Sequence, residues 1–428
     1  MKMRKAWAAG AAIVTLGALG LTGCAGGGGG ADDGSTLTMW HNSTTGAGKQ
    51  YWEDAAAAFH KANPEVTVKV TSIQNEDMDG KLQTAVNSGD MPDIFMARGG
   101  GKLADVVKAG KVKDLTKLID ADVKSAFGDA PFSAFTVDGK IYGMPSAVLP
   151  GGMFYSKDLF AAAGISGEPS SMDELEGAVD KLKASGVAPI ALGAKDAWPA
   201  AHWYYFFAVR ACDQDVIANL STKPDFSDKC WLDAAQNLAD FAETEPFNDG
   251  FLTTSAQQGA NSSAGLVANH KAAMELMGAW NVGVIASLTP DQKPLPDLGW
   301  FPFPEVSGGK GTPGAMMGGV DGYSCSVDSP DTCEKFLNFV SSKEWQEKYA
   351  VAFQTIPASQ DAMGAVTDPS LIPLMEAYSK APYVSLWLDT ALGQNVGNAL
   401  NTGVVEMLAG QGDPKKLVDS LANAAARG

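Results

Sequence analysis

Leu37-Thr38-Met39-Trp40-His41-Asn42, followed by residues 49–63 and then by 66–73, is the stretch on which the fold turns. A short apolar run, a helical stripe and a β-branched run in that order make a βαβ unit, the repeating element of a parallel or mixed sheet covered by helices. In the middle stretch Trp52, Ala55, Ala56, Phe59 and Ala62 fall on one face at helical spacing, and Pro64 ends the helix before the second strand. The alternation continues outward. Residues 78–88 predict a helix, 93–97 a strand, 99–109 the lead into a helix and 141–145 an extended segment. Beyond them come a strand over 151–155, a helix over 157–163 and a capped helix over 171–185, with Asp173 and Glu174 near its positive end. Residues 231–244 and 259–269 predict helices, 273–277 a buried strand and 282–287 another helix. Prolines and glycines between 290 and 314 predict irregular chain. The last helices are expected over 332–339, 343–351 and 413–427. This is an α/β pattern without an internal repeat.

The chain ahead of this body has a different chemistry. Lys2, Arg4 and Lys5 precede an apolar stretch, 8–21, that is too short and too glycine-broken for a permanent span. Leu21-Thr22-Gly23-Cys24 closes it and resembles a bacterial lipobox, so residues 1–23 are expected to be an export signal and Cys24 the acceptor of a diacylglycerol. Residues 24–35, with glycine at 26–30, lack side chains from which to build a core. They predict a tether reaching about 20 Å in root-mean-square terms. No second apolar stretch suggests a span. The body is too long for one core of usual size, and two lobes are expected. Removing Lys2, Arg4 and Lys5 takes the net charge from −17 to −17 − 3 = −20, which disfavours nucleic acid as a partner.

Four cysteines remain after Cys24: Cys212, Cys230, Cys325 and Cys333. Outside the cell an even set implies disulfides. Proximity favours Cys212 with Cys230 and Cys325 with Cys333, each worth roughly 2–4 kcal/mol; the other two pairings stay open. No Cys-x-x-Cys occurs, and neither His202 nor His270 completes a four-ligand set, so neither a metal nor another cofactor is called for.

Six stretches carry a family resemblance. They are 37–42; Phe59-His60-Lys61-Ala62-Asn63-Pro64 ahead of 66–70; Ser88-Gly89-Asp90-Met91-Pro92-Asp93-Ile94; Tyr142-Gly143-Met144-Pro145; residues 154–164; and Ala272-Ala273-Met274-Glu275-Leu276-Met277-Gly278-Ala279-Trp280. In this order they resemble the extracellular (family 1) sugar-binding proteins of bacterial ATP-binding-cassette (ABC) importers, the maltose-binding-protein-like class. The resemblance implies a two-lobe, type II periplasmic-binding-protein-like fold with a hinge and an interlobe ligand cleft. Lobe 1 is expected over 36–148 plus 313–355 and lobe 2 over 149–312 plus 356–428, with crossings near 146–151, 312–318 and 354–359. It further implies an oligosaccharide ligand, membrane permease subunits as partners and a monomer held by its lipid at the outer face of the cell membrane. The segment 318–323 and the supply of aromatics look similar to transporters of short β-linked oligosaccharides such as xylobiose; maltose-like disaccharides stay open.

A pyranose presents an apolar C–H face and a rim of hydroxyls, so its pocket needs flat rings beside planar donors and acceptors. Open α/β sheets present such groups at the carboxyl ends of their strands. Trp40, His41, Asn42 and Ser43 stand there after the first strand, and Arg98 and Gly99 after the third. Trp280, followed by Asn281, matches the family's stacking tryptophan; the alternative is a core residue packing the next helix. Asp321 and Tyr323 sit among glycines, where a turn-stabilising Asp321 is an equal reading. Trp198, His202, Trp203 and Tyr204 form an aromatic cluster from which Trp198 and Trp203 are candidate walls, and Trp387 is a candidate second platform. Asp93 is expected to be structural. The rival class is a secreted glycoside hydrolase, which needs two carboxylates facing across a cleft. No local pattern singles out such a pair, and there is no Gly-x-Ser-x-Gly or His-Glu-x-x-His. Arg98-Gly99-Gly100-Gly101-Lys102 is followed by Leu103 where a phosphate loop needs Ser or Thr. A surface adhesin predicts repeats that the body lacks.

Overall fold

Strands β1 (Thr36–His41) and β2 (Thr67–Ser72) pair in parallel, from Thr36 opposite Thr67 to His41 opposite Ser72, with α1 (Gly46–Ala62) crossing between them. Of the stripe read from the sequence, Trp52, Ala55, Ala56 and Phe59 are buried and Tyr51 joins them, whereas Ala62, at the last position of the helix, is exposed. The computed structural model describes residues 35–427, so the export signal, Cys24 and the tether through residue 34 lie outside the described residues. Helix α2 (Asn75–Ser88) ends at Gly89 in the left-handed conformation and leads to β3 (Ile94–Ala97) and α3 (Gly100–Lys108). Asp93 lashes the first and third strands together, its carboxylate accepting from Thr38 N and Oγ1 at 2.8 and 2.7 Å.

The remaining strands of the sheet are β4 (Met144–Ser156), β5 (Ala188–Ile190), β6 (Ala272–Gly278), β7 (Leu298–Phe301), β8 (Met316–Cys325), β9 (Ile356–Pro357) and β10 (Val384–Leu386). They join in the order β2-β1-β3-β8-β4-β6-β5, with β7 and β9 on β4 and β10 on β8. Helices α4 (Met172–Ala184), α5 (Trp198–Ala211), α6 (Lys229–Glu243), α7 (Ser263–Ala268), α8 (Asn281–Leu288), α9 (Thr332–Val340) and α10 (Lys343–Phe353) cover it. Helices α11 (Leu388–Ala391), α12 (Gly393–Leu408) and α13 (Pro414–Ala425) close the described chain.

The chain forms two lobes, and their cores are distinct. One runs from Leu37 to Leu149 and resumes from Tyr323 to Ala358; the other holds Met153 to Phe303, Ala315, Met317 and Trp387 to Ala424. A third cluster draws on both long strands, through Val148, Phe154 and Met316. Strands β4 and β8 therefore carry the chain from one core to the other. They are antiparallel from Gly318 opposite Pro150 to Tyr323 opposite Met144, with a register shift between Asp321 and Gly322.

Four expectations change. The crossing expected near 146–151 lies inside a continuous strand, because every residue of β4 is buried and hydrogen-bonded into the sheet rather than looped over the surface. The irregular stretch 290–314 contains β7, whose Trp300 and Phe301 are buried and pair with β4. Helix 259–269 is confined to α7, because Ser262 caps it by accepting from Gly265 N. Helix α5 was read only as an aromatic cluster. Every residue from Pro199 to Ala211 is buried, so it has no polar face to mark a helical period. Both favoured disulfides are present: Cys212–Cys230 ties α5 to α6, and Cys325–Cys333 ties β8 to α9, with Cα separations of 5.0 and 6.0 Å.

Candidate functional site

Where β6 ends, the chain turns through Gly278 and Ala279 to Trp280, the residue that opens α8. A Cβ at Gly278 would overlap the Trp280 ring, so only glycine lets the indole fold back over the strand end. Trp280 packs against each of the three core clusters named above and so stands where the two lobes meet. Three more rings surround it: Trp198 at 6.1 Å, His202 at 6.2 Å and Trp387 at 5.9 Å between centroids. His202 and Trp387 are stacked, 4.3 Å apart and 13° from parallel. Burial lowers the His202 imidazole to about 4, so the ring is neutral at physiological pH. Trp387 is 7% exposed and forms the back of the cage, seated against Gly151 and Gly319; Trp198 and Trp280 are only half-buried. The Trp198 Nε1 donor and His202 Nδ1 have no hydrogen-bond partner among the described residues.

Beside the cage lies a charged network. Asn42 Nδ2 donates to Asn75 Oδ1 at 3.2 Å, and Arg98 Nη2 donates to the same oxygen at 2.9 Å. Arg98 Nε and Lys102 Nζ both donate to Asp79 at 2.9 Å, and Lys102 also reaches Asp389 at 2.9 Å. Asp389, two residues after Trp387, joins this network to the aromatic wall. Burial works against the charge on Asp79, but Arg98 and Lys102 outweigh it and hold the carboxyl well below its ordinary range. Asp389 is held low against burial mainly by Lys102. Burial raises Asp321, with Arg98 opposing; its carboxylate has no hydrogen-bond or ion-pair partner among the described residues. Two cations and three carboxylates leave the network at 2 − 3 = −1, with both cations already engaged.

Residues 41–347 match the family described as bacterial extracellular solute-binding protein. The chain belongs to this family. An uncharacterized ABC transporter extracellular-binding protein of Pyrococcus horikoshii is 24% identical over 343 residues, covering 78% of this chain and 74% of that protein. A solved structure from work on xylan utilization by the thermophilic bacterium Caldanaerobius polysaccharolyticus superposes with a TM-score of 0.83 at 25% identity, over 91% of this chain and 99% of the other. A chitin oligosaccharide binding protein superposes with a TM-score of 0.81 at 26% identity, over 92% of this chain and 98% of the other. The named functions in this company are binding rather than catalysis.

In this solute-binding protein the sequence candidates separate into two groups. Trp198, Trp280 and Trp387 come together, and Asn42 and Arg98 share the Asn75 oxygen, with Asp321 close enough to feel the Arg98 charge though not paired with it. Trp40 is half-buried with Lys81 Nζ 5.2 Å above its ring, and Ser43 N donates to His41 Nδ1 at 3.2 Å. The other group consists of core residues. Trp203 is fully buried against Phe241, Phe247 and Phe303, because α5 is buried on every side; it walls no cleft. Tyr323 packs edge-on against Trp52 at 4.6 Å in the first core. His41 is sealed under Trp52, and Asn281 is fully buried against Glu275. Gly99 is buried at the start of α3, where a Cβ would lie 2.7 Å from the Ala134 carbonyl oxygen. The residues missed are Asn75, Asp79, Lys102 and Asp389; the one signal that could have pointed to Asp389 is its place two residues after Trp387. Among the described residues no group of three or more His, Cys, Asp or Glu is arranged to hold a metal, and no helix is long and apolar enough to cross a membrane.

Proposed function

We propose that this solute-binding protein captures a short neutral oligosaccharide, a β-linked disaccharide or trisaccharide such as xylobiose foremost, and delivers it to the permease subunits of an ABC importer without chemical turnover. The observation that carries the reading is the ring cage of Trp198, Trp280, Trp387 and His202 placed beside a hydrogen-bonding network at the junction of the two lobes. Indole faces suit the C–H face of a pyranose, and Asp321 and the unpartnered Trp198 Nε1 suit its hydroxyls. Both cations have carboxylate partners already, which favours a neutral ligand over an acidic one. The similarity to proteins of xylan and chitin-oligosaccharide systems supports the same class. In this reading Cys24 carries a lipid, the Gly-rich tether holds a monomer above the membrane, and the bodies 36–148 plus 313–355 and 149–312 plus 356–428 close on the sugar. Moving such an equilibrium from mostly open to mostly closed takes about 4–6 kcal/mol of differential binding, within reach of ring stacking and charge-assisted hydrogen bonds.

The test is calorimetric titration of the tether-free protein with neutral di- and trisaccharides, with tryptophan fluorescence in parallel. Micromolar or tighter binding with the sugar recovered intact is expected. Release of monosaccharide would put a hydrolase in first place, and silence across the panel would refute the sugar reading.

A further inference from the structure

Behind Trp280, strand β6 and the first turn of α8 are joined by a buried side-chain pair. Asn281 Nδ2 donates to Glu275 Oε2 at 2.8 Å, and the two residues are 0% and 1% exposed. The bond spans the turn that carries Trp280. Each partner keeps a second oxygen, Glu275 Oε1 and Asn281 Oδ1, sealed from solvent and without a donor among the described residues. An ionised carboxylate against a carboxamide leaves both oxygens as acceptors with nothing to accept, an unfavourable arrangement in a buried site.

One proton removes the conflict. A carboxylic acid presents C=O beside O–H, the complement of the C=O beside NH2 of a carboxamide, so a neutral Glu275 has a donor to offer where the ionised form has none. Nothing packed against β6 supplies a compensating cation. Helices α7 and α8 and strands β4 and β5 carry no charged side chain; the other polar neighbour, Ser263 on α7, has a single hydroxyl proton, which it donates to the Ala256 carbonyl at 2.9 Å. Tyr155 on β4 donates to Glu168, while on α5 Tyr204 donates to the Trp231 carbonyl and Tyr205 to Asn401. His202 is stacked on Trp387, and Arg210 donates to the carbonyl oxygens of Phe303, Pro304 and Ala315.

We propose that Glu275 and Asn281 form a proton-bearing carboxylic acid–carboxamide pair that clamps the Trp280 turn, making Glu275 a positioning residue for ligand capture and coupling capture to a proton held outside the cleft. Burial raises the Glu275 carboxyl to about 7, in the direction the geometry requires. The coupling to ligand rests on the sugar-binding reading above; the buried proton and its effect on Trp280 stand without it.

The first experiment needs no ligand. Wild type and Glu275→Gln are unfolded in urea from pH 4 to pH 9. Glutamine offers NH2 in place of O–H and keeps the pair without a proton. The folded value lies above the unfolded one, so the wild type's stability relative to the variant is complete below pH 4.5 and falls as pH rises toward 7. Its unfolding constant rises by two to three powers of ten over that window (7 − 4.5 = 2.5 pH units, tenfold each). Tryptophan emission shifts with pH in the wild type, and the shift is absent from both Glu275→Gln and Trp280→Phe. With xylobiose as probe, wild-type affinity falls by up to about a hundredfold between pH 7 and pH 9, the ceiling for one proton, while Glu275→Gln is flat. If the variant does not accumulate, infrared spectra of wild type grown with and without carbon-13 glutamate decide the matter: a protonated carboxyl band that shifts with the label at pH 6 and vanishes at pH 9 is expected. Its absence at pH 6, or the same pH dependence of stability in wild type and Glu275→Gln, overturns the proposal.

Discussion

Replacing Lys102 by methionine tests the polar bridge between the two cores. Lys102 Nζ lies 2.9 Å from both Asp79 and Asp389, and its side chain is 13% exposed. Methionine keeps the apolar stem and removes the charge. Asp79 still has Arg98 at 2.9 Å, but Asp389, 12% exposed, is left with two long hydrogen bonds, from Asn401 Nδ2 at 3.4 Å and Thr390 Oγ1 at 3.5 Å, and no other salt-bridge cation among the described residues. Removing one partner of a buried pair costs about 3–5 kcal/mol, and the residual exposure here argues for the lower end, about 3 kcal/mol. Asp389→Asn is milder, because Lys102 keeps Asp79; its cost is one charge-assisted hydrogen bond, about 1.5 kcal/mol. In the double variant no carboxylate is orphaned, and stability should lie near that of Asp389→Asn alone. The coupling is therefore about 3 kcal/mol, well above the roughly 0.5 kcal/mol at which independent sites add. Urea unfolding of the four proteins at pH 7 measures it. Simple addition of the two single costs would mean that Lys102 and Asp389 do not share an ion pair in solution, and the bridge would have to be abandoned.

Two further predictions separate site from core and one disulfide from the other. Trp280→Ala should weaken sugar binding by at least tenfold in calorimetry while costing little in urea unfolding, whereas Trp203→Ala, deep in the second core, should cost about 3–5 kcal/mol of stability; equal losses in both assays for Trp280 would make it a core residue. Replacing the Cys212–Cys230 pair by serines should destabilise more than replacing Cys325–Cys333, because sequence separations of 18 and 8 differ in loop entropy by about 0.7 kcal/mol. Thermal unfolding of the two variants reads the order, and the reverse order would show that strain or packing, not chain entropy, sets their worth.

What was legible in the sequence follows from how each part is stabilised. The βαβ opening was readable because α1 has one buried and one solvated face, which writes a period into the residues. Helix α5 has no solvated face and therefore no period. Strand β7 is four residues between prolines, too short for alternation to register. The cage was partly legible, since tryptophans are few and the strand ahead of Trp280 is plainly apolar. Trp203 was misassigned because an aromatic inside a buried helix looks the same in sequence as one at a cleft. Lys102 and Asp389 were beyond reach: they are 287 positions apart, two among 32 basic and 49 acidic residues, and their partnership exists only once the sheet has formed.

The route of the chain between the lobes has a consequence for anyone who would splice a reporter into it. Strands β4 and β8 are hydrogen-bonded to each other across the junction, so the two together act as one reading frame. A single inserted or deleted residue within either flips every side chain downstream to the opposite face, sending Met153 or Tyr323 out of its core. The junction is a strip of paired strands, with β9 on Ala147 and Val148 of β4 and β10 on Met316 to Gly318 of β8, so any relative motion of the lobes has to draw on twist of these strands rather than on swivelling at a loose joint. A fluorescent module belongs in a surface turn away from these strands, where it can report the twist without breaking the frame.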